Sequence, residues 1–285
     1  MAREKKCYDG YLVQNLDAVN LLMPYILPRR TDSEVKVDLE FDLEKLENFI
    51  REQRKGDIPD LTLYHFIFAA LARAAFEYPA INRFINHNRL YERRHVKISM
   101  IVKKTFAIDG KETSIMPVIE PEDSLAEIVQ KIKKAQDEAM VNLSGDSNDF
   151  DRLTGILYRT PSFLLRLFVN FMLATDHRGH LPKSLLDIQP FHSSFFVTNM
   201  GSIGLPVIYH HLYEFGTVSG FACIGSKKVV TTVDRNGNIT TKKVLPIRFT
   251  GDGRICDGYA YSCAFRTIAR CFDKPEMLLK AYHCD

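Results

Sequence analysis

Apolar and charged positions first alternate, and then repeat with a helical period, near the start of the chain. Residues 35–41 alternate between the two classes, which predicts a half-buried strand. Apolar residues of 43–50 then share one helical face, and Gly56 supplies the stop signal. Residues 61–76 are almost continuously apolar, which favours a helix buried on most sides that ends before Pro79.

Later segments add further helices and strands. Ser124-Leu-Ala-Glu127 is a capping box that opens an amphipathic helix. Thr160-Pro161 predicts the start of an apolar helix that continues to Ala174. Asn236-Gly237 predicts a type I′ hairpin turn. Strands are also predicted at 96–102, 195–198, 220–224, 229–233 and 245–250, and a terminal helix at 259–272. This mixture of elements predicts the α+β class.

Composition and charge limit the classes of protein to which this chain can belong. The chain has 285 residues, with 38 Lys plus Arg against 35 Asp plus Glu, a balance too small to indicate a nucleic-acid partner. Six cysteines without a C-x-x-C pair indicate reduced thiols, and hence a cytoplasmic protein. The most apolar run, 163–174, is too short to span a bilayer. We expect an N-terminal arm over 1–33 and one domain over 34–285.

Four short motifs follow one another in the last third of the chain. They are Val197-Thr198-Asn199-Met200-Gly201, Ala222-Cys223-Ile224-Gly225, Asn236-Gly237 and Asp252-Gly253-Arg254-Ile255-Cys256-Asp257-Gly258. This succession resembles the catalytic domain of 2-oxoacid dehydrogenase dihydrolipoamide acyltransferases, a family that shares its fold with chloramphenicol acetyltransferase. The resemblance covers about residues 30–285. It implies a two-layer α+β sandwich of a mixed sheet with helices, which assembles into homotrimers with the active site between subunits.

The same resemblance implies coenzyme A as a substrate and assigns roles to three positions. In the family, an H-x-x-x-D-G histidine is the general base and a Ser or Thr of the neighbouring subunit stabilises the oxyanion. Thr198 matches that hydroxyl residue, although a β-branched residue also suits a strand for packing alone. Gly253 stands where the histidine is expected, so the family's base is absent. Asp257 matches a structural carboxylate that pairs with an arginine, for which Arg29 and Arg30 are candidates.

Other side chains are weaker candidates for chemistry. His210 and His211 follow the Thr198 strand and are possible replacement bases. His177 and His180 are too few for a metal site, so no metal is expected. Cys256 is interpreted as a small buried apolar residue. The sequence assigns no residues that bind coenzyme A.

Residues 142–189 form a segment that is atypical for the family. It could cover a trimer face, narrow the substrate channel or lay its apolar side on a membrane. Arg166 and Asn170 are a thin polar face for an interfacial helix, which favours packing against protein.

Two functions are compatible with these observations. The first is acyl transfer between coenzyme A and a small thiol or dithiol acceptor, impaired by the loss of the histidine. A thiol is partly ionised at neutral pH, whereas an alcohol is not, so a thiol depends less on a general base. The alternative is a catalytically silent homotrimeric scaffold or acyl-CoA sensor.

Overall fold

The computed structural model describes most of the chain. The described residues are 6–7, 10–103, 112–144, 159–182, 186, 189–233 and 235–282. Within the atypical segment 142–189, residues 145–158, 183–185 and 187–188 therefore lie outside the described residues.

Twelve strands are described in two sheets. They are Lys6–Cys7 (β1), Gly10–Leu12 (β2), Glu34–Asp42 (β3), Arg83–Asn86 (β4), Arg89–Arg93 (β5), Val96–Lys103 (β6), Glu112–Ile115 (β7), Val118–Ile119 (β8), Phe195–Asn199 (β9), Gly220–Ile224 (β10), Lys228–Val233 (β11) and Ile239–Asp252 (β12). The large sheet has the order β11-β12-β10-β9-β6-β7, with β3 also paired to β12 and β8 to β6. Strand β9 is parallel to β10 and β6, whereas the other pairs are antiparallel. The sheet is therefore mixed.

Six helices of at least nine residues are described. They are Ala18–Ile26 (α1), Glu44–Lys55 (α2), Leu63–Glu77 (α3), Leu125–Ser144 (α4), Ser162–His177 (α5) and Gly258–Asp273 (α6). One face of the large sheet packs against helices, because Phe195 and Val197 of β9 join residues of α3, α4 and α6 in one core cluster. The intervening Phe196 belongs to a separate cluster on the other face. The predicted two-layer α+β class is confirmed.

The small sheet has the order β1-β2-β5-β4 and includes part of the expected N-terminal arm. Its β4–β5 hairpin turns through His87 and Asn88, both with positive φ, as a two-residue type I′ loop requires. The prediction of such a turn at Asn236-Gly237 is wrong. That hairpin exists, but it pairs Val233 with Ile239 across a longer loop, and only the glycine of the pair has a positive φ.

The buried helix α3 begins with a reciprocal cap that uses a histidine. Thr62 N donates to His65 Nδ1 at 3.2 Å, and His65 N donates to Thr62 Oγ1 at 3.4 Å. His65 is buried, and its Nε2 has no partner among the described residues. Burial lowers the pKa of His65 to about 4.

This histidine should make the fold sensitive to acid. Between the unfolded pKa near 6.5 and the folded value near 4, the unfolded chain binds a proton that the folded chain excludes. The His65 contribution should therefore lower the free energy of unfolding by about 2 kcal/mol between about pH 7 and about pH 5. His65→Gln keeps an acceptor for Thr62 N and should remove that part of the pH dependence. Urea unfolding of both proteins at the two pH values measures this; equal losses in both would contradict it.

Candidate active site

The loop after β12 contains Gly253, the position expected for the family's base. Gly253 N donates to Ser33 O at 2.8 Å, which holds the loop against the residue before β3. A Cβ atom at Gly253 would lie 2.9 Å from both Ser33 O and Val35 Cγ2. Because one of these neighbours is backbone, the loop as folded has no room for a side chain at position 253.

A buried ion pair fixes this loop. Arg254 binds Asp252 through two contacts, Nε to Oδ1 at 2.9 Å and Nη2 to Oδ2 at 2.7 Å. Tyr261 donates its hydroxyl to the Asp252 carbonyl, and Arg254 also donates to Leu27 O. Burial opposes ionisation of Asp252, but hydrogen bonds and the charges of Arg254 and Arg30 outweigh it and lower its pKa. The carboxylate is therefore a fixed anion rather than a proton carrier.

Asp257 has a structural position, but its expected arginine partner differs. Its carboxylate accepts from Ala260 N at 2.8 Å and caps α6. Arg30 instead donates to the carbonyls of Gly216 and Val218. Arg30 is therefore not the partner of Asp257, and among the described residues no ion pair joins Asp257 to Arg29. In this loop Asp252 is the carboxylate that an arginine binds, whereas Asp257 is exposed at the N-terminus of α6.

Thr198 lies on the sheet face opposite the helices. It follows Phe196 by two residues and shares its face. Thr198 is half-buried, is paired in register with Cys223 of β10, and directs Oγ1 toward the sulfur of Met200 at 3.9 Å. Cys223 is buried, and burial raises the pKa of its thiol, so this sulfur is not an activated nucleophile.

Two of the motif glycines explain how the chain covers this face. A Cβ at Gly201 would lie 2.6 Å from Gly225 O, and one at Gly225 would lie 2.7 Å from the backbone N of Val207. Only glycines allow three backbone segments to approach so closely. Arg248 adds a bond from Nη1 to Val207 O at 3.0 Å. The segment after Gly201 is therefore held across the sheet.

This segment carries His210 onto the Thr198 face. The His210 ring stacks on Phe221 with centroids 3.9 Å apart and planes inclined by 5°. Phe221 in turn stacks on Phe196 at 4.9 Å. Thr198 lies two residues beyond Phe196, about one strand repeat, ~7 Å, along β9. His210 lies on the side of Phe221 away from Phe196, so the hydroxyl and the imidazole share one sheet face and are also separated across the sheet by the ring stack.

The protonation state of His210 is set by its surroundings. Nδ1 lies 2.8 Å from the carbonyl oxygen of His211, which can only accept, so Nδ1 carries the hydrogen and Nε2 keeps its lone pair. Burial lowers the pKa of His210 and favours the neutral ring. His211 is exposed, with its ring 5.0 Å from that of Tyr213. His210 thus has the geometry of a proton acceptor.

Thr198 and Gly253 are not neighbours within one chain. Thr198 is in register with Cys223, and Cys223 with Arg248 of β12. Five residues separate Arg248 from Gly253, which is ~17 Å along an antiparallel strand. Within one chain, Thr198 and His210 therefore share a sheet face, whereas the Gly253 loop lies apart from Thr198.

An apolar groove of about 540 Å³ lies beside the Gly253 loop, between β3 and α6. Val35, Tyr261 and Phe265 are among its lining residues. Across the described residues, no group of three His, Cys, Asp or Glu side chains is arranged to hold a metal ion. Over the same part of the chain, no helix has the length and hydropathy that a membrane crossing needs.

Sequence reasoning missed three features around these sites. The Asp252–Arg254 pair looks like a solvated turn in sequence, although both residues are buried. The buried pair of Asp176 and His192 joins residues 16 positions apart and has no local pattern. The contact of His210 with a backbone carbonyl likewise leaves no sequence signal.

Comparison with known proteins gives the fold. No protein-family model matches the sequence, and no curated protein matches it. The dihydrolipoamide acetyltransferase of Azotobacter vinelandii is similar in structure, with 16% identity over 94% of each chain and a TM-score of 0.59. A probable dihydrolipoamide acetyltransferase of Listeria monocytogenes 4b F2365 has 16% identity, covers 99% of this chain and 100% of its own, and has a TM-score of 0.57. A chloramphenicol acetyltransferase has 12% identity, covers 92% and 98%, and has a TM-score of 0.52. The chain has the fold of these acyltransferases.

Because the space around Gly253 is crowded, any side chain at this position should lower the stability of the fold. Gly253→Ala should destabilise the protein by about 1–3 kcal/mol, because the new Cβ meets the Ser33 backbone. Gly258→Ala is the matched control, since a Cβ at Gly258 meets nothing within 4 Å. That variant should be neutral or slightly stabilising. Urea midpoints measure both, and equal effects of the two substitutions would contradict the crowding.

Proposed function

We propose that this protein transfers acyl groups between coenzyme A and a thiol acceptor, using His210 as the general base. The observation that carries the proposal is the His210 ring, neutral, fixed in one tautomer and on the same sheet face as Thr198. The fold supports the substrate class, because the similar structures are named as acetyltransferases of dihydrolipoamide and chloramphenicol.

The chemistry needs one proton acceptor and one oxyanion donor. His210 Nε2 takes the acceptor's thiol proton as the sulfur forms a bond to the thioester carbonyl carbon. The carbonyl oxygen becomes an oxyanion that accepts a hydrogen bond from Thr198 Oγ1. Its collapse breaks the bond to the coenzyme A sulfur, and that thiolate recovers the proton from His210.

The surroundings of His210 also indicate which kind of molecule accepts the acyl group. A base with a lowered pKa is weak, so it suits a thiol with a pKa near ~8.5 better than an alcohol. A small dithiol such as the dihydrolipoamide named for the similar proteins fits this requirement.

A homotrimer in the cytoplasm is part of the proposal. A further similar structure, with 15% identity and a TM-score of 0.56, is named as the cubic core of a pyruvate dehydrogenase multienzyme complex, a symmetric assembly. Cys223, Cys256, Cys263 and Cys271 are buried free thiols, which supports a reducing compartment.

A second candidate is an acyl-CoA sensor or scaffold without turnover. The crowding at Gly253 favours it, because the position at which the resemblance expects a base has no space for a side chain. Binding of acetyl-CoA without transfer to any thiol would identify this function.

Substitution of the two candidate residues tests the proposed reaction. His210→Gln should lower kcat for acetyl transfer from acetyl-CoA to dihydrolipoamide by about 10²–10⁴-fold, and His211→Gln is the matched control that should change little. Thr198→Val should cost about 10²-fold, with recovery in Thr198→Ser. The assay follows acetyl-CoA consumption.

The pH profile separates a base from a residue that only supports packing. Because the base must be neutral, kcat/KM should fall as pH drops through the His210 pKa, which burial places below 6.5. That acidic limb should vanish in His210→Gln. Equal effects of His210→Gln and His211→Gln, or a limb that persists, would contradict the assignment.

A further inference from the structure

The helix Ser162–His177 (α5) is fixed to the molecule by its C-terminal end. Asp176 is 2% exposed, with Oδ1 2.7 Å from His192 Nε2 and Oδ2 accepting from Gly216 N at 2.7 Å. Asn86 Nδ2 also donates to Asp176 O at 2.8 Å, and His87 N to His177 O at 2.9 Å. These contacts hold the last turn of the helix rigidly.

The rest of the helix presents large apolar side chains to solvent. Phe163, Leu167 and Phe171 are 71%, 65% and 65% exposed. At about 100° per residue these three lie within about 80° of one another, and the exposed Leu164 and Phe168 widen the arc to about 140°. Sequence reasoning favoured packing against protein, but the described residues of this chain leave the arc uncovered.

The exposed charges on this segment are all basic. They belong to Arg159, Arg166 and Arg178. The one acidic residue among 159–182 is Asp176, which is buried against His192. Arg166 and Asn170 border the apolar arc on one side, so cationic and apolar surfaces lie next to each other.

We propose that α5 docks the protein on an anionic lipid surface, with the arc of Phe163, Leu164, Leu167, Phe168 and Phe171 in the acyl boundary and the arginines at the headgroups. An apolar helical face bordered by basic residues is the pattern of helices that lie in a membrane interface. The helix has 16 residues, about 24 Å, which is shorter than the ~30 Å hydrocarbon core, so it lies on the bilayer rather than crossing it. The absence of exposed acidic groups among residues 159–182 favours anionic lipid over a second copy of this near-neutral chain.

Co-sedimentation with vesicles tests the proposal. The full chain is mixed with vesicles of phosphatidylcholine alone and of phosphatidylcholine with an equimolar amount of phosphatidylglycerol. It should sediment with the anionic vesicles, and high salt should weaken the binding. Leu167→Glu with Phe171→Glu should abolish binding, and Arg166→Gln should weaken it about fivefold, the equivalent of about 1 kcal/mol for one arginine.

The helix Ala18–Ile26 (α1) supplies the matched control. Leu21 and Leu22 are also exposed, at 56% and 52%, and replacing both by Glu should leave vesicle binding unchanged. Circular dichroism and the molecular mass in solution are measured for every variant. No sedimentation with anionic vesicles would overturn the proposal, as would equal losses in the α1 and α5 variants. The arc would be assigned to contact with a second copy if the wild-type protein did not bind vesicles and the variant with Leu167→Glu and Phe171→Glu lost its oligomeric mass.

Discussion

The buried ion pair between Asp252 and Arg254 is the interaction on which the geometry of the molecule depends. Both side chains are nearly inaccessible, and Arg30 lies close enough to add its charge. Removing one partner from such a pair leaves a buried charge and costs about 3–5 kcal/mol. Arg254 reaches the carbonyls that end α1, and Arg30 reaches those of Gly216 and Val218. The charges thus join the end of β12, the N-terminal segment and the segment that leads into β10.

Two regions in the last third of the chain differ in how tightly they are packed. The loop containing Gly253 is tightly packed, with the backbone of Ser33 in the space that a side chain would occupy. The sheet face opposite the helices carries a hydroxyl at Thr198 and an imidazole at His210, and the path of the segment that brings His210 there depends on Gly201 and Gly225. In the proposed reaction, the base comes from this covering segment instead of the loop after β12.

Sequence reasoning succeeds where local pattern decides the structure. The alternation over Glu34–Asp42 and the capping box at Ser124 both give the expected elements, and the order of short motifs gives the fold. It fails where distant groups meet. The neutral state of His210 depends on burial and on a backbone carbonyl, and neither leaves a recognisable pattern in the neighbouring sequence. An apolar run such as 163–171 predicts a helix, but its pattern resembles that of a buried helix although its side chains face solvent.

A structure with bound coenzyme A tests the central claim most directly, because it locates the reacting sulfur without any assumption about the acceptor. We predict that the sulfur lies on the Thr198 face, within about 3–4 Å of His210 Nε2. A sulfur in the groove between β3 and α6, beside Val35 and near the Gly253 loop, would contradict the account. It would place the reaction at the loop after β12 instead.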